Sequence, residues 1–157
     1  MKRREAAGWK LVLSAFGLGL IPFAPGTMGA LGALVPVVLA RNYLPEPNLV
    51  LSVLAVIAIF AGIAGATKVE PSWGKDPSKV VLDEVAGMLV SVLWLGPGWL
   101  NVAAAFILFR FFDIVKPLGI RRAEALPHGW GIMADDVVAG IYTNLVIQLV
   151  YLLARGI

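Results

Sequence analysis

The sequence contains no cysteine and a single histidine, His128. Without cysteine the chain cannot form a disulfide framework, a thiolate zinc site or a cysteine nucleophile. A single histidine also excludes a metal centre built on several histidine ligands. His128 lies in a glycine-rich segment, Pro127–Gly131, and we interpret it as a loop residue rather than a catalyst.

Charged residues are scarce as well, at 15% of the chain, whereas 59% is hydrophobic and the mean hydropathy is +0.85. Soluble domains are about 45–50% apolar. The composition therefore predicts a membrane protein, with a very apolar soluble helical bundle as the alternative. The net charge of +3 comes without a basic stripe interleaved with aromatic residues, so no nucleic-acid partner is expected. Protein partners stay unknown at this stage.

Four uncharged stretches indicate membrane helices, since a span needs about 20 apolar residues. They are Leu11–Ala40, Pro47–Thr67, Val85–Phe109 and Val137–Ala154. The second and fourth each fit one span. The first is interrupted at Pro22–Gly26, which predicts a re-entrant or cytoplasmic part followed by a span from about residue 27 to residue 43.

The triplet Gly96-Pro97-Gly98 interrupts the third stretch and predicts a tight turn between two short helices. With the N-terminus inside, such a hairpin leaves 11 of the 13 basic residues on the inner side, against 8 for a single span. The positive-inside bias favours the hairpin. The predicted fold is therefore an all-α, polytopic membrane bundle with short or re-entrant helices and a central hairpin, forming one domain over residues 1–157.

This topology brings most acidic residues to one side of the membrane. The inner segments, residues 1–26, 68–84 and 110–136, hold nine of the ten acids. A helix predicted to start with Asp76 as its N-cap would carry Asp83 and Glu84 about two turns in, too far to serve the cap. Acids at such depth are functional by default, and pairing with a nearby lysine or arginine is the structural alternative.

Two further groups of charged residues follow along the chain. Asp113 ends the returning arm, and Arg110, three residues earlier, either pairs with it or contacts phosphate. Lys116 is a candidate phosphate contact or an ordinary positive-inside lysine. Asp135 and Asp136 begin the last predicted span, where one acid can cap the helix while Asp136 faces inward.

A glycine-rich turn, Pro25–Ala30, leads into the first predicted span, with Thr27 as the expected N-cap. The free N–H groups of such a helix end bind anions. Close helix packing is the alternative role for its glycines. Carboxylates without thiol or histidine partners suit Mg²⁺, which lowers the pKa of a bound water so that a carboxylate such as Asp83 can take its proton.

Four runs of the sequence, in this order, resemble the phosphatidylglycerophosphatase A family. The likeness covers about residues 14–140, and the runs are residues 25–29, 76–87, 109–117 and 131–140. The resemblance implies a helical, multi-pass enzyme of the cell inner membrane, with its active site facing the cytoplasm. It implies Mg²⁺-dependent hydrolysis of the anionic lipid phosphatidylglycerophosphate to phosphatidylglycerol and phosphate, a step of phospholipid biosynthesis.

The same resemblance suggests the roles of individual residues. The catalytic set is Asp83, Glu84, Asp113 and Asp136. The metal set is Glu84, Asp113, Asp135 and Asp136. The substrate-binding set is Thr27, Arg110 and Lys116. Which acids hold metal and which activate water stays open.

Two other functions compete with this one. A phosphotransferase acting on CDP-activated lipids would carry an Asp-Gly…Ala-Arg pattern on one helix pair, which this sequence lacks. A small non-enzymatic transporter or ion-binding protein would use the same acids as a relay, and it predicts them near the bilayer midplane.

Overall fold

A computed structural model describes residues 3–74, 77–96 and 98–155, and the side chains from residue 6 onward. Those residues form helices and connecting turns, without a strand, so the predicted all-α class is confirmed. A short 3₁₀ turn, Leu18–Leu20, follows the first helix. The helices are α1 (Arg3–Leu13), α2 (Pro25–Gly32), α3 (Leu34–Tyr43), α4 (Pro47–Trp73), α5 (Leu82–Val92), α6 (Trp99–Val115), α7 (Ile120–Ala123) and α8 (Gly129–Arg155).

Helices α4 and α8 are long and apolar enough to cross a membrane. Each has 27 residues, or about 40 Å at 1.5 Å per residue, and their most apolar 18-residue windows have mean hydropathies of 2.7 and 1.9. Only 33% and 22% of those windows is buried in the protein. A core helix of a soluble protein would be mostly buried, so these exposed apolar faces favour the membrane interpretation over the soluble bundle.

The predicted interruption near residue 97 separates α5 from α6. Pro97 itself lies outside the described residues, but α5 ends at Val92 and α6 begins at Trp99. The start of α5 and the end of α6 return to the same place, since Gly26 of α2 approaches both Glu84 and Arg110. The chain therefore turns back on itself here, as the glycine–proline–glycine triplet indicates.

The predicted start of the fifth helix was wrong. Asp76 lies outside the described residues, and the chain from Pro77 to Val81 is not helical. Helix α5 begins only at Leu82 because the N–H of Val81 donates to the carbonyl oxygen of Leu13, 2.9 Å away, at the end of α1. Asp83 and Glu84 consequently lie in the first turn of α5, not two turns inside it.

Two other helix starts also differ from expectation. Ala24, in the left-handed region at φ 45°, is the N-cap of α2, so Thr27 is its third residue and not its cap. Pro25 at the first position fixes this start, because its φ suits a helix and it has no N–H to satisfy. The segment from residue 27 to residue 43, predicted as one span, is divided between the short helices α2 and α3, which meet at Ala33.

The last helix begins eight residues before the predicted span, at Gly129 within the expected loop. A β-carbon on Gly129 would overlap the carbonyl oxygen of Ile63, so this glycine allows α8 to pack closely against α4. Asp135 and Asp136 therefore lie in the second turn of α8, too far from its end to cap it, and the capping alternative is excluded.

Helix α5 lies at the centre of the protein and packs against α2, α4, α6 and α8. It runs parallel to α8 in a regular register. A β-carbon on Gly140 would overlap the carbonyl of Gly87, and one turn further the side chain of Asn144 donates to the carbonyl oxygens of Ser91 (3.1 Å) and Leu93 (2.7 Å). This register brings the acid-bearing starts of the two helices together.

Candidate active site

Three carboxylates from α5 and α8 form a cluster. Asp83 and Glu84 come from the first turn of α5, and Asp136 comes from the second turn of α8. One oxygen of each lies within 4.8 Å of the others, a spacing that suits a shared metal ion. The glycine contact between Gly87 and Gly140, one turn along both helices, sets this distance because a larger residue would part the helices.

The two aspartates of the cluster are buried, Glu84 is partly buried, and the cation beside them is Arg110. Asp83 is 8% exposed and Asp136 is 3% exposed. Asp83 Oδ1, Glu84 Oε2 and Asp136 Oδ1 have no hydrogen-bond partner among the described residues. Buried anions are costly unless they are paired or coordinate a metal. The orphaned oxygens therefore fit a cation with hard oxygen ligands.

Asp113, at the end of α6, stands beside this cluster and pairs with Arg110. Its Oδ2 lies 2.5 Å from Nη1 of Arg110, one turn earlier, so the ion pair that the sequence left as an alternative does form. Arg110 Nε is buried and has no partner in the described part of the chain. One donor of Arg110 is thus left without a described partner beside the acid cluster.

Lys116 ends α6 in the left-handed conformation, at φ 49°, and extends its ammonium toward α8. Its Nζ lies 2.6 Å from Asp135 Oδ2 and 3.4 Å from Glu124 Oε2. Burial alone would lower the pKa of this ammonium, but the hydrogen bond and charge of Asp135, with Glu124, raise it above its ordinary value. Lys116 therefore stays charged at neutral pH.

The same contact separates Asp135 from the other predicted metal ligands. Asp135 is 6% exposed and points one oxygen at Lys116, whereas its neighbour Asp136 joins the cluster with Asp83 and Glu84. This division follows from helix geometry, because successive residues point about 100° apart.

A cavity of about 360 Å³ connects these groups. The lining residues are Asp83, Glu84, Asp113, Lys116, Glu124, Leu126, His128, Gly131, Ile132, Asp135 and Asp136. Of the predicted site residues, the described cavity wall lacks Thr27 and Arg110. Thr27 lies in α2, and Arg110 pairs with Asp113 of the wall.

Sequence reasoning missed one charged residue of the cavity wall, Glu124, and set aside another polar one, His128. Glu124 lies in a turn with no motif around it, so no sequence signal was available. His128 lines the cavity mouth, and its Nδ1 lies 2.8 Å from Glu70 Oε2 of α4. His128 thus lies in a turn, as interpreted from the sequence, and borders the cavity as the partner of Glu70.

Comparisons with known proteins agree with this geometry. A family model described as phosphatidylglycerophosphatase A matches residues 11–151. The chain is 38% identical over 141 residues to a phosphatidylglycerophosphatase A of Haemophilus influenzae, covering 87% of this chain and 85% of the relative. It is 37% identical over 136 residues to the Escherichia coli K12 protein of that name, covering 85% and 77%.

A third relative bears a different name. A Bacteroides thetaiotaomicron protein, provisionally named a phosphatidylinositol-3-phosphatase, is 44% identical over 144 residues, covering 88% of this chain and 91% of the relative. No solved structure matches the chain at a significant level. The family match covers nearly the whole chain, including every element of the acid cluster. The protein therefore belongs to the phosphatidylglycerophosphatase A family and is a phosphatase.

Proposed function

We propose that this protein hydrolyses the phosphate monoester of phosphatidylglycerophosphate, releasing phosphatidylglycerol and inorganic phosphate, in a Mg²⁺-dependent reaction. The observation that carries the proposal is the buried cluster of Asp83, Glu84 and Asp136, with one oxygen of each within 4.8 Å of the others. Cationic groups that suit a phosphate, Lys116 and Arg110, stand beside it.

The donor set supports a hard divalent cation such as Mg²⁺ over metals that prefer thiolate or imidazole ligands. It consists of carboxylate oxygens alone, which hard divalent cations prefer, and His128 is engaged with Glu70 at the mouth. We assign Glu84 and Asp136 to the metal, with Asp113 as a further ligand. Asp135 gives one oxygen to Lys116, and its Oδ1 has no partner among the described residues. Bound there, the cation would neutralise the phosphate and lower the pKa of a water molecule.

The remaining side chains have distinct tasks in the proposed reaction. Asp83 takes the proton of the attacking water and returns it to the glycerol oxygen as the P–O bond breaks. Lys116, which lines the cavity, holds phosphate oxygens, and Arg110, paired with Asp113 of the cavity wall, adds positive charge beside them. Thr27, in the first turn of α2, supports the same phosphate through the N–H groups of that helix end.

We further propose that the whole chain is one domain of the cell inner membrane, multi-pass, with the acid site at the cytoplasmic surface. Exposed aromatic residues support an embedded position, because such side chains gather at membrane interfaces. Trp130, 53% exposed, lies near the acid cluster, while Tyr43, Trp94 and Trp99, each at least 65% exposed, lie at the far ends of α3, α5 and α6.

The name of the Bacteroides relative favours one second candidate, hydrolysis of a phosphate on the inositol ring of a phospholipid. The same cluster would perform the same chemistry, and only the group that carries the phosphate would differ. The non-enzymatic transporter is disfavoured by the family match, and because Asp83 and Glu84 lie in the first turn of α5 and not mid-helix.

The test uses purified protein in detergent, offered phosphatidylglycerophosphate or phosphatidylinositol 3-phosphate, with Mg²⁺ or with EDTA. We expect phosphate release from phosphatidylglycerophosphate that EDTA abolishes and excess Mg²⁺ restores. Faster release from the inositol lipid would move the assignment to the second candidate. Release that is indifferent to EDTA would contradict the metal-dependent reaction.

A further inference from the structure

Gly26, the second residue of α2, lies directly against the acid cluster. A β-carbon on this residue would overlap Oε1 of Glu84 and would lie 3.2 Å from Nη1 of Arg110. The first turn of α2 thus closes over the carboxylate so tightly that a β-carbon at residue 26 would displace the end of the Glu84 side chain.

The backbone does not itself require glycine at this position. Gly26 is helical and its φ is not positive, so alanine would fit the local conformation. The next two glycines of α2 meet apolar neighbours instead, because β-carbons on Gly29 and Gly32 would press on Val81 and Leu18. The requirement for glycine at residue 26 comes from the charged groups opposite it.

We propose that Gly26 is a positioning residue for the phosphatase reaction, acting through Glu84. Its missing side chain leaves the space in which the Glu84 carboxylate lies, with Oε2 free of partners among the described residues and available to a cation. The inference rests on the proposed function, since it assumes that Glu84 holds the metal. It adds a residue that neither the motif assignment nor the family description provides.

The first experiment compares Gly26→Ala with Gly8→Ala. Gly8 is also helical, and a β-carbon there meets nothing within 4 Å, so it is the matched control. For Gly26→Ala we expect kcat to fall about 100-fold, as for a misplacement of about 1 Å. Binding of Mn²⁺, followed by its electron paramagnetic resonance signal, should weaken in parallel, while thermal stability in detergent stays at the wild-type value. Gly8→Ala should change neither quantity.

The second experiment gives the added methyl group room. Glu84→Asp shortens the acid by one methylene, so the double variant Gly26→Ala/Glu84→Asp should bind Mn²⁺ more tightly than Gly26→Ala alone. If the loss of Mn²⁺ affinity in the double variant equals the product of the losses in the two single variants, the two residues are not in contact. That result would contradict the proposal. Should Gly26→Ala fail to fold, recovery of the fold in the double variant supports the proposal, and no recovery contradicts it.

Failure of this inference is distinguishable from failure of the proposed function. Wild-type Mn²⁺ binding in a Gly26→Ala variant would overturn the positioning role, whatever the substrate is. A wild-type protein that binds Mn²⁺ but releases no phosphate from either lipid would contradict the proposed function and leave the Mn²⁺ comparison intact.

Discussion

At the scale of single residues, the site depends on buried carboxylates that have oxygens without a hydrogen-bond partner among the described residues. Asp83 and Asp136 face each other across two helices, and their orphaned oxygens lack partners among the described residues. Such an arrangement is repulsive until a cation binds. The same carboxylates therefore influence both folding and catalysis. A substitution that removes one of them should raise the stability of the metal-free protein and lower its activity.

Asp136→Asn tests that coupling. Without metal, the variant should melt at a higher temperature than the wild type, because a neutral amide replaces one member of a crowded, buried carboxyl cluster. It should also lose the thermal stabilisation that Mg²⁺ gives the wild type and at least about 100-fold in kcat, on the scale of removing one catalytic electrostatic group. Thermal melts in EDTA and in Mg²⁺, with phosphate-release assays, provide the measurements. Glu46→Gln, an exposed acid far from the cluster, is the control.

Lys116 should act on substrate binding more than on turnover. Lys116→Gln removes a charged donor to phosphate, so KM should rise roughly tenfold or more, given about 1.5–3 kcal/mol for a charge-assisted hydrogen bond. Stability should fall by about 1 kcal/mol, because Asp135 loses a partly exposed partner. The double variant Lys116→Gln/Asp135→Asn should regain that stability, but its KM should stay high. Lys79→Gln is the control. Unchanged KM in Lys116→Gln would remove the residue from the phosphate site.

The same residue gives a pH expectation. Because the pKa of Lys116 is raised in the folded protein, the stability from its pair with Asp135 is fully present below the ordinary value of 10.5. It is lost only as the pH rises beyond that value. Between pH 6 and pH 9 the difference in stability between wild type and Lys116→Gln should therefore stay constant. A difference that vanished within this range would contradict a raised pKa.

At the scale of helices, the parallel register of α5 and α8 builds the site. Gly87 meets Gly140, and one turn further the Asn144 amide caps the last carbonyls of α5. Because the two helices approach at their glycines, Asp83 and Asp136 at their acid-bearing ends share one cavity.

Gly140→Ala should part these two helices. The added methyl group overlaps the carbonyl oxygen of Gly87, and such overpacking costs typically about 1–3 kcal/mol. We expect lower thermal stability, weaker Mg²⁺ stabilisation and reduced kcat together. Gly8→Ala, in an open helical position, supplies the comparison. A Gly140→Ala protein with normal stability and normal turnover would show that this contact does not set the site.

The bounds of the helices are also what the sequence predicted least well. Asp83, Glu84, Asp113 and Asp136 were recognisable because acids beside apolar runs are rare, and Gly96 and Gly98 marked the turn. The start of α5 was not recognisable, since it depends on a hydrogen bond from Val81 to Leu13, 68 residues away.

Tertiary contacts explain the other differences as well. Asp135 was grouped with the metal ligands because sequence spacing does not reveal that Lys116, 19 residues earlier, reaches it. The glycines at residues 129 and 131 suggested a loop, yet they lie in a helix whose backbone presses on neighbouring carbonyl groups. In both examples the outcome is decided by contacts that exist only in the folded chain.

At the scale of the whole molecule, the proposed topology can be tested by cysteine labelling. Because the sequence has no cysteine, single cysteines can be introduced without background. Ser78→Cys lies in an exposed turn beside the acid-bearing end, and Asn42→Cys lies on the exposed end of α3. In intact cells, an impermeant maleimide should label Asn42→Cys and spare Ser78→Cys until the membrane is opened. Labelling of both in intact cells would contradict a cytoplasmic site.

The most direct test of the central claim is equilibrium binding of a divalent cation to the cluster. Calorimetric titration of Mg²⁺ into the purified wild-type protein should show saturable binding, and the Asp83→Asn/Asp136→Asn double variant, folded by thermal melting, should show none. Equal Mg²⁺ binding by the two proteins would contradict the account, because the metal would then lie elsewhere.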